Sequence, residues 1–358
     1  MTALLLVHGR SQEMAPGADR SAAAVAAYVE GRKREWLAGL ARGLTLAGHP
    51  PLQPDAVYYP FYGNLLADLI AAHERAGGHA PDLETAPSPV VAQASRTRDD
   101  LILQAAAELG FRPSRRLART DPELVARVVA VEKARAEGSE AGWSDLLKPR
   151  IVREALKFLA EKTGTSEFII QQFLRDVAYY LEDDHMRAEV QKEVTAAIDR
   201  AVADGHRDLV VVAHSLGSVV AYDACSDLTA NIAVRLLVTA GSPLGFPIVR
   251  RNLRGGTEGV DARPVPAVLD PFPGAPGRER VWWLNAYDVL DVVALVYPLA
   301  SRFSDGAHRI RDERTFNPTY PHSIADYLSD PDVAGPIGDV LATPSSRAAA
   351  PCSCPPAS

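Results

Sequence analysis

The chain is poor in cysteine and in long apolar runs. It has 3 cysteines in 358 residues, and Cys352 and Cys354 stand in a segment rich in proline, serine and alanine. That spacing gives no disulfide framework and, without further cysteine or histidine beside it, no metal site. No apolar run approaches the roughly 18 residues of a transmembrane helix. We therefore expect a cytoplasmic protein without a cofactor, for which any membrane contact is peripheral.

The chain also lacks a region dominated by charge of one sign, and it lacks nucleotide-binding motifs. The 38 basic and 45 acidic residues are interspersed, so the sequence does not favour nucleic acid as a partner. Neither a GxGxxG after a strand nor a GxxxxGK(S/T) loop occurs, so no nucleotide is expected. The opening MTALLLVHGR has no basic start and no small-residue cleavage site, and is not a signal peptide by pattern. The sequence gives no indication of the oligomeric state.

Strand and helix patterns alternate at both ends of the chain. A buried strand ending at Val7, a helix from Arg34 to Gly48 and a strand stopping at Pro60 come first. The alternation resumes with MRAEVQKEVTAAIDRAVADG, DLVVVAH, GSVVAYDACSDL, AVRLLVTA and VWWLNAYD. Such a pattern predicts an α/β fold with a mostly parallel, doubly wound sheet.

The stretch between these two parts has a different pattern. Residues 65–181 carry amphipathic helical runs such as SEFIIQQFLRDVAYYLED and no convincing strand. We expect a helical insertion or cap there, between core segments 1–64 and 182–342, with a disordered tail over 343–358. The Pro/Ala/Ser-rich stretch GGHAPDLETAPSPVVAQASRTRDD is expected to be mobile.

One serine lies between a strand pattern and a helix pattern, in LVVVAHSLGSVVAYD. Ser215 has the small residues Ala213 and Gly217 two positions before and after it. A nucleophile elbow needs these small neighbours because the serine occupies a tight, strained strand-to-helix turn. We interpret Ser215 as a nucleophile, and the alternative is a serine in an ordinary turn.

A serine nucleophile needs a base, which follows it along the chain in folds with this elbow. Only His308 and His322 come after Ser215. His308 lies in AHRIRD, a pattern typical of a strand or its edge, whereas His322 lies in the proline-rich loop NPTYPHSIADYL. A late loop can bring an imidazole over the elbow, so we predict His322 as the base.

The orienting acid should lie after the next-to-last strand, where VWWLNAYDVLDVVAL offers two aspartates. Asp288 is nearer the strand end, and Asp291 precedes an apolar VVA that can hold a carboxylate at the edge of a buried loop. We predict Asp291 as the acid, with Asp288 as the alternative. The other aspartate would cap a helix in the same loop.

Acyl transfer also needs backbone donors for the developing oxyanion. The candidates are the amide of Leu216 at the start of the elbow helix and that of Arg10 in the loop after the first strand. His8 in that loop is interpreted as a loop-bracing hydrogen bonder. The predicted substrate-binding residues, near the elbow or in the aromatic run YYPFY, are His214, Ser242, Pro243, Leu244 and Tyr62.

Five segments in order, VHGR, AHSLGSVVAYD, TAGSPLG, WLNAYDVLDVVA and YPHS, resemble the α/β-hydrolase lipases and serine esterases, including GPI inositol-deacylase-like and bacterial cytoplasmic members. The resemblance covers about 1–63 and 186–341 and leaves the insertion out. It implies a triad of Ser215, Asp291 and His322, with Ser242 as a wall residue. The sequence departs from the family in Ala213, where glycine is commoner, and in HGR without a further glycine.

The leading hypothesis is a serine hydrolase that cleaves a small-molecule or lipid carboxylic ester through an acyl-enzyme on Ser215. Thioesterase, amidase and acyltransferase activities stay open, since the fold and a triad do not choose among them. A second hypothesis is a partner-gated or non-catalytic effector, whose insertion docks a protein on a hydrolase scaffold. An exposed apolar face on SEFIIQQFLRDVAYYLEDD would favour the second hypothesis.

Overall fold

A six-stranded, entirely parallel sheet forms the centre of the fold, which confirms the predicted α/β class and parallel sheet. A computed structural model describes residues 2–10, 12–50, 56–78, 88–112, 149–228, 232–254, 263–270 and 281–343, with a few single residues between 126 and 133. The strands are β1 (Thr2–Val7), β2 (Val57–Tyr58), β3 (Asp208–His214), β4 (Ala233–Ala240), β5 (Arg263–Pro264), β6 (Trp283–Tyr287), β7 (Phe303–Ser304) and β8 (Ile310–Arg314). The order in the sheet is β2-β1-β3-β4-β6-β8, and β5 and β7 form a separate parallel pair.

Helices cover both faces of this sheet. They are α1 (Ala22–Leu46), α2 (Gly63–Gly78), α3 (Pro89–Glu108), α4 (Pro149–Thr163), α5 (Glu167–Glu182), α6 (Asp184–Ala203), α7 (Leu216–Asp227), α8 (Pro247–Arg251), α9 (Gly306–Arg309), α10 (Ile324–Ser329) and α11 (Pro331–Ala342). Val210 and Val212 of β3 pack with α1, α10 and α11, whereas Leu209 and Val211 pack with the helices α2 to α8. The apolar runs of β1 and β3 are continuous because both faces of these central strands are buried.

The part of 65–181 that the structure describes is helical, in α2 to α5, as expected. Buried residues of α3, α4 and α5 join the same hydrophobic cluster as one face of the sheet. The division into core, insertion and tail stays a prediction, and 344–358 lie outside the described residues. Within the described ranges, no helix combines the length and the apolar character needed to cross a bilayer.

One sequence prediction of local structure needs correction and another stays a prediction. The stretch predicted to be mobile forms helix α3 from Pro89, where Ser88 caps the helix and proline occupies the first turn, a position that tolerates its missing N–H; residues 79–87 lie outside the described part. The first helix begins well before Arg34, at Ala22, because Ser21 caps the alanine-rich segment that precedes the apolar pattern.

The long helix α1 approaches α10 closely through two glycines. A Cβ built on Gly39 would lie 2.7 Å from the carbonyl oxygen of Ala325, and one on Gly43 would lie 2.3 Å from that of Leu328. Real side chains do not reach such distances, so the glycines permit backbone contact between the helices. This contact fixes the position of α10, which directly follows the loop that carries His322.

We expect Gly43→Ala to destabilise the protein and Gly31→Ala to stabilise it, although both glycines lie in α1. Alanine at position 43 meets the α10 backbone, and overpacking of this kind costs about 1–3 kcal/mol. A Cβ on Gly31 meets nothing within 4 Å, so the substitution should gain up to about 1 kcal/mol from helix propensity. Urea unfolding of both variants measures the difference. Equal effects of the same sign would contradict the close packing.

Candidate active site

The candidate site lies at the carboxyl ends of β1 and β3, where the direction of strand addition reverses. The chain passes from β1 to β2 on one side and later places β3 on the other side of β1. Ligands of open parallel sheets bind at such a switch point. Here the loop after β1 meets the turn after β3, and a Cβ on Gly9 would lie 2.5 Å from the Cβ of Ser215.

Ser215 occupies the strained turn that the sequence predicts. It stands between the end of β3 and the start of α7, with φ 57° and ψ −133°. A non-glycine residue rarely adopts a positive φ, and such strain persists only where the surroundings enforce it. Gly217 lets α7 approach β1, because a Cβ there would lie 2.4 Å from the carbonyl oxygens of Val7 and His8. The backbone therefore has the geometry of a nucleophile elbow.

A chain of buried hydroxyl groups lies beneath this turn. Ser218 Oγ donates to the carbonyl oxygen of Ser215 at 2.5 Å and lies 2.7 Å from Ser242 Oγ. Ser242 in turn accepts the N–H of Leu244 at 3.2 Å. The predicted substrate-binding residues Ser242, Pro243 and Leu244 are all buried in this arrangement. Their contacts tie the segment after β4 to the elbow.

His322 pairs with Asp291, and both side chains are buried. Nδ1 of His322 lies 2.7 Å from Oδ2 of Asp291, and Oδ1 of Asp291 accepts the N–H of Val293 at 2.9 Å. Nε2 of His322 is buried and has no hydrogen-bond partner in the described part of the chain. Because Nδ1–H donates its hydrogen bond to the carboxylate, Nε2 is the ring nitrogen that can take a proton from another group.

The end of β4 brings this pair next to the elbow. The N–H of Ser215 donates to the carbonyl of Ala240, the last residue of β4, at 3.0 Å. The next residue is Gly241, with φ 58°, and a Cβ on it would lie 2.7 Å from Asp291 Oδ2 and 2.9 Å from His322 Nδ1. The rings of His322 and His214 are 4.4 Å apart. The imidazole and the acid therefore lie at the end of β4 that also binds the backbone of Ser215. No hydrogen bond joins Nε2 of His322 to Ser215 Oγ.

Asp288, the alternative acid, is engaged elsewhere. Its Oδ1 accepts the N–H of Leu290 and its Oδ2 accepts the N–H of Asn317, each at 2.8 Å. These bonds join the loop after β6 to the segment after β8. The structure thus pairs His322 with Asp291 and gives Asp288 the task of holding the loop.

The loop after β1 is braced from beneath by His8 and Tyr62. Nδ1 of His8 donates to the carbonyl of Gly9 at 2.7 Å, and Nε2 accepts the N–H of Tyr62 at 3.2 Å. The Tyr62 hydroxyl donates to the carbonyl of His8, and the two rings stack at 4.0 Å. Tyr62, a predicted substrate-binding residue, is completely buried, so in this structure it supports the loop.

The remaining histidines near or after the elbow differ in burial. Burial holds the pKa of His214 well below the usual histidine value, and the neighbouring His322 acts in the same direction. His214 is therefore a neutral ring packed against His322. His308 is exposed in α9, the single helical turn before β8, where the sequence predicts a strand or its edge.

Helix α5 covers the site, through residues that the sequence reasoning missed. The ring of Phe173 packs edge-on against that of His322, with 4.7 Å between centroids. The guanidinium of Arg10 lies over the Phe173 ring, 5.0 Å from its centroid, and its Nε donates to Asp176 Oδ2 at 2.6 Å. Both charged side chains are largely buried, so water screens the pair weakly. The helical periodicity of α5 predicts that one face of the helix is buried. It does not identify the residues against which that face packs.

The two proposed oxyanion donors lie on either side of Ser215. The N–H of Leu216 belongs to the first turn of α7, whose leading amides have no helical acceptor. Arg10 follows Gly9, which contacts Ser215. A cleft of about 130 Å³ begins at Arg10 and extends between α2 and α5. Its lining combines apolar and charged side chains, among them Leu66, Ile70, Glu13, Glu74 and Arg175.

No protein-family model, curated protein or solved structure matches the chain. A function can therefore be inferred only from the geometry. In the described part of the chain, His, Cys, Asp and Glu side chains form no group that could hold a metal ion.

The buried His8 should make stability fall on acidification. Burial lowers its pKa from 6.5 to about 4, against the smaller effect of its bond to Gly9. The unfolded chain therefore binds this proton first, so the contribution is complete above pH 6.5 and is lost as the pH falls towards 4. Between pH 7 and pH 5 it amounts to about 2 kcal/mol.

Urea unfolding at these two pH values tests the effect in the wild type, in His8→Gln and in the exposed control His308→Gln. His8→Gln should lose about 2 kcal/mol less between pH 7 and pH 5 than the wild type, and the control should match the wild type. An undiminished loss in His8→Gln would show that the imidazole is not the group that titrates.

Proposed function

We propose that the chain is a serine hydrolase of the α/β-hydrolase fold, which cleaves a carboxylic ester through an acyl-enzyme on Ser215. One observation carries the proposal. Ser215 is strained at a strand-to-helix turn beside a buried His322–Asp291 pair, and Nε2 of that imidazole has no partner in the described residues. His214 Nε2 is buried without a partner among these residues as well, so it is the pairing of His322 Nδ1 with Asp291 that distinguishes His322 as the candidate base.

The positions of these residues along the fold support the family resemblance. The elbow follows β3, the acid follows β6, and the histidine follows β8, the last strand. This is the chain order of serine, acid and histidine in α/β-hydrolases. The substitution of Ala213 for the commoner glycine is compatible with the turn, because Ala213 lies within β3 and its methyl group is buried.

In the proposed reaction, Ser215 Oγ attacks the acyl carbon while its proton passes to Nε2 of His322. Asp291 stabilises the imidazolium that forms. The amides of Leu216 and Arg10 bind the oxyanion until the intermediate collapses and the proton passes from His322 to the leaving alcohol. Water then attacks the acyl-enzyme with His322 as base, which releases the acid and restores Ser215.

The cleft of about 130 Å³ beside Arg10 is lined by α2 and α5 and includes neither Ser215 nor His322, so the substrate size is left to the assay. Carboxylic esters over a range of acyl-chain lengths are the first substrates to test. Thioesters, amides and acyl transfer to another acceptor fit the same arrangement of residues.

A reducing compartment such as the cytoplasm suits the buried free thiol of Cys225, whose pKa burial raises to about 12.

The packing of α5 supports the enzyme over the docking scaffold. Its apolar residues from Ile170 to Leu181 are buried. Phe168 and Ile169 at its first turn are the exceptions, with 69% and 36% of their surfaces exposed. Two side chains make a small patch, whereas a docking helix presents an apolar stripe along several turns.

Labelling with a fluorophosphonate probe tests the nucleophile. The probe should attach to the peptide that contains Ser215 and should fail to label Ser215→Ala. Ser226→Ala, which removes another hydroxyl of α7, one that donates to the carbonyl of Tyr222, should label as the wild type does. Label on another residue, or an unlabelled but folded wild type, would refute the proposal.

The two aspartates should separate activity from stability. Asp291→Asn should slow labelling roughly 10³-fold to 10⁴-fold, the order that loss of the orienting carboxylate costs in serine proteases. Asp288→Asn should label at close to the wild-type rate but unfold more easily by about 1–2 kcal/mol. The reason is that both oxygens of Asp288 accept N–H groups, so the new amide faces one donor with another. Reversed effects would make Asp288 the acid.

A further inference from the structure

Tyr327 of α10 bonds to the same carboxylate oxygen as His322. Its hydroxyl donates to Asp291 Oδ2 at 2.8 Å and accepts the N–H of Asp288 at 2.9 Å. The tyrosine is completely buried. One hydroxyl group therefore links both aspartates of the loop after β6. It is also the second hydrogen-bond donor to Asp291 Oδ2, beside Nδ1–H of His322.

The direction of the Tyr327 bond is fixed by chemistry. An ionised carboxylate accepts hydrogen bonds only, and the backbone N–H of Asp288 can only donate. Burial, followed by the charge of Asp291, holds the pKa of Tyr327 well above the usual tyrosine value. The hydroxyl is thus protonated throughout the working pH range, and it always supplies a donor to Asp291.

We propose that Tyr327 is a positioning residue that withdraws charge from Asp291 Oδ2 and thereby limits the proton affinity of His322. A donor to Oδ2 stabilises the carboxylate's charge and weakens its attraction for an imidazolium on the same oxygen. His322 then stays neutral, and ready to accept the Ser215 proton, to a lower pH than the bare His322–Asp291 pair would allow. This inference rests on the proposed function.

The contacts of Asp291 account for both parts of this role. In the described part of the chain, Val293 N–H and His322 are the other hydrogen-bond donors to the Asp291 side chain, so without Tyr327 the carboxylate would attract an imidazolium at His322 more strongly. The loop after β6 would also lose a bond, since Asp288 N–H would have no acceptor. The other titratable or charged groups around the pair are His214, Tyr320, Arg10, Asp176 and Asp288.

The test is an NMR titration of ¹⁵N-labelled histidine rings in the full chain, with the His322 signals assigned by their loss in His322→Gln. Tyr327→Phe should move the titration midpoint of His322 upward by about one pH unit. Tyr222→Phe is the matched control. It removes the buried hydroxyl of a tyrosine that donates to the carbonyl of Pro264, so the His322 midpoint should stay at the wild-type value.

A second variant keeps the hydroxyl and should shift the His322 midpoint in the opposite direction. Site-specific 3-fluorotyrosine at position 327 is a more acidic, stronger donor, so it should move the midpoint of His322 downward, and it leaves the packing intact if Tyr327→Phe folds poorly. Unchanged midpoints in both variants, or a downward shift in Tyr327→Phe, would overturn the role of Tyr327.

The rate of fluorophosphonate labelling, followed over the same pH range, separates this inference from the proposed function. The acidic limb of the labelling rate should move with the His322 midpoint in each variant. A shift in the midpoint with no label on wild-type Ser215 would leave the role of Tyr327 intact and refute the hydrolase. If the wild type is labelled at Ser215 but neither variant changes the His322 midpoint, the hydrolase proposal stands and the role of Tyr327 is refuted.

Discussion

The candidate site depends on backbone segments that approach one another more closely than side chains allow. Gly9 lies against Ser215, Gly217 lies against the end of β1, and Gly241 lies against both Asp291 and His322. A Cβ at any of the three would meet a neighbour at 2.9 Å or less. Three loops from different strands can therefore converge on one point, and the strained φ of Ser215 is maintained by the packed sheet and helices around it.

Two further elements complete this convergence from opposite faces of the sheet. Helix α10, fixed against α1 by glycine contacts, brings Tyr327 to Asp291 and follows directly after His322. Helix α5 lies on the other face and covers His322 with Phe173, while Arg10 joins it to the loop after β1 through Asp176. These contacts join α5 to the loop after β1 and to the His322 ring.

Much of this arrangement could be predicted from local sequence patterns. The apolar runs of β1, β3 and β4 are buried on both faces and so carry a strong signal, and the small residues around Ser215 indicate the turn because its geometry excludes larger ones. The choice between Asp288 and Asp291 depends on which backbone N–H groups each carboxylate meets, and local sequence does not encode that. The partners of Arg10 could not be predicted either, because Asp176 lies on a helix that is distant in the sequence.

Two tyrosines show what the sequence pattern leaves open. Tyr62 belongs to an aromatic run whose pattern fits a cleft wall or a buried strand end equally well, and its contacts with His8 show that it is buried. Tyr327 reads as an ordinary core position, because helical spacing reports that a side chain is inside and not what its hydroxyl reaches. Sequence therefore indicates burial reliably, and polar partners within the core only when a motif demands them.

The central claim is that Ser215 carries the acyl group during turnover. Rapid-quench mass spectrometry with a short-chain p-nitrophenyl ester measures this directly. If Ser215 is the nucleophile, p-nitrophenolate should appear in a burst close to one equivalent, and the peptide that contains Ser215 should carry a transient acyl group. Ester hydrolysis without an acylated Ser215 peptide, or an acyl group on another residue, would contradict it.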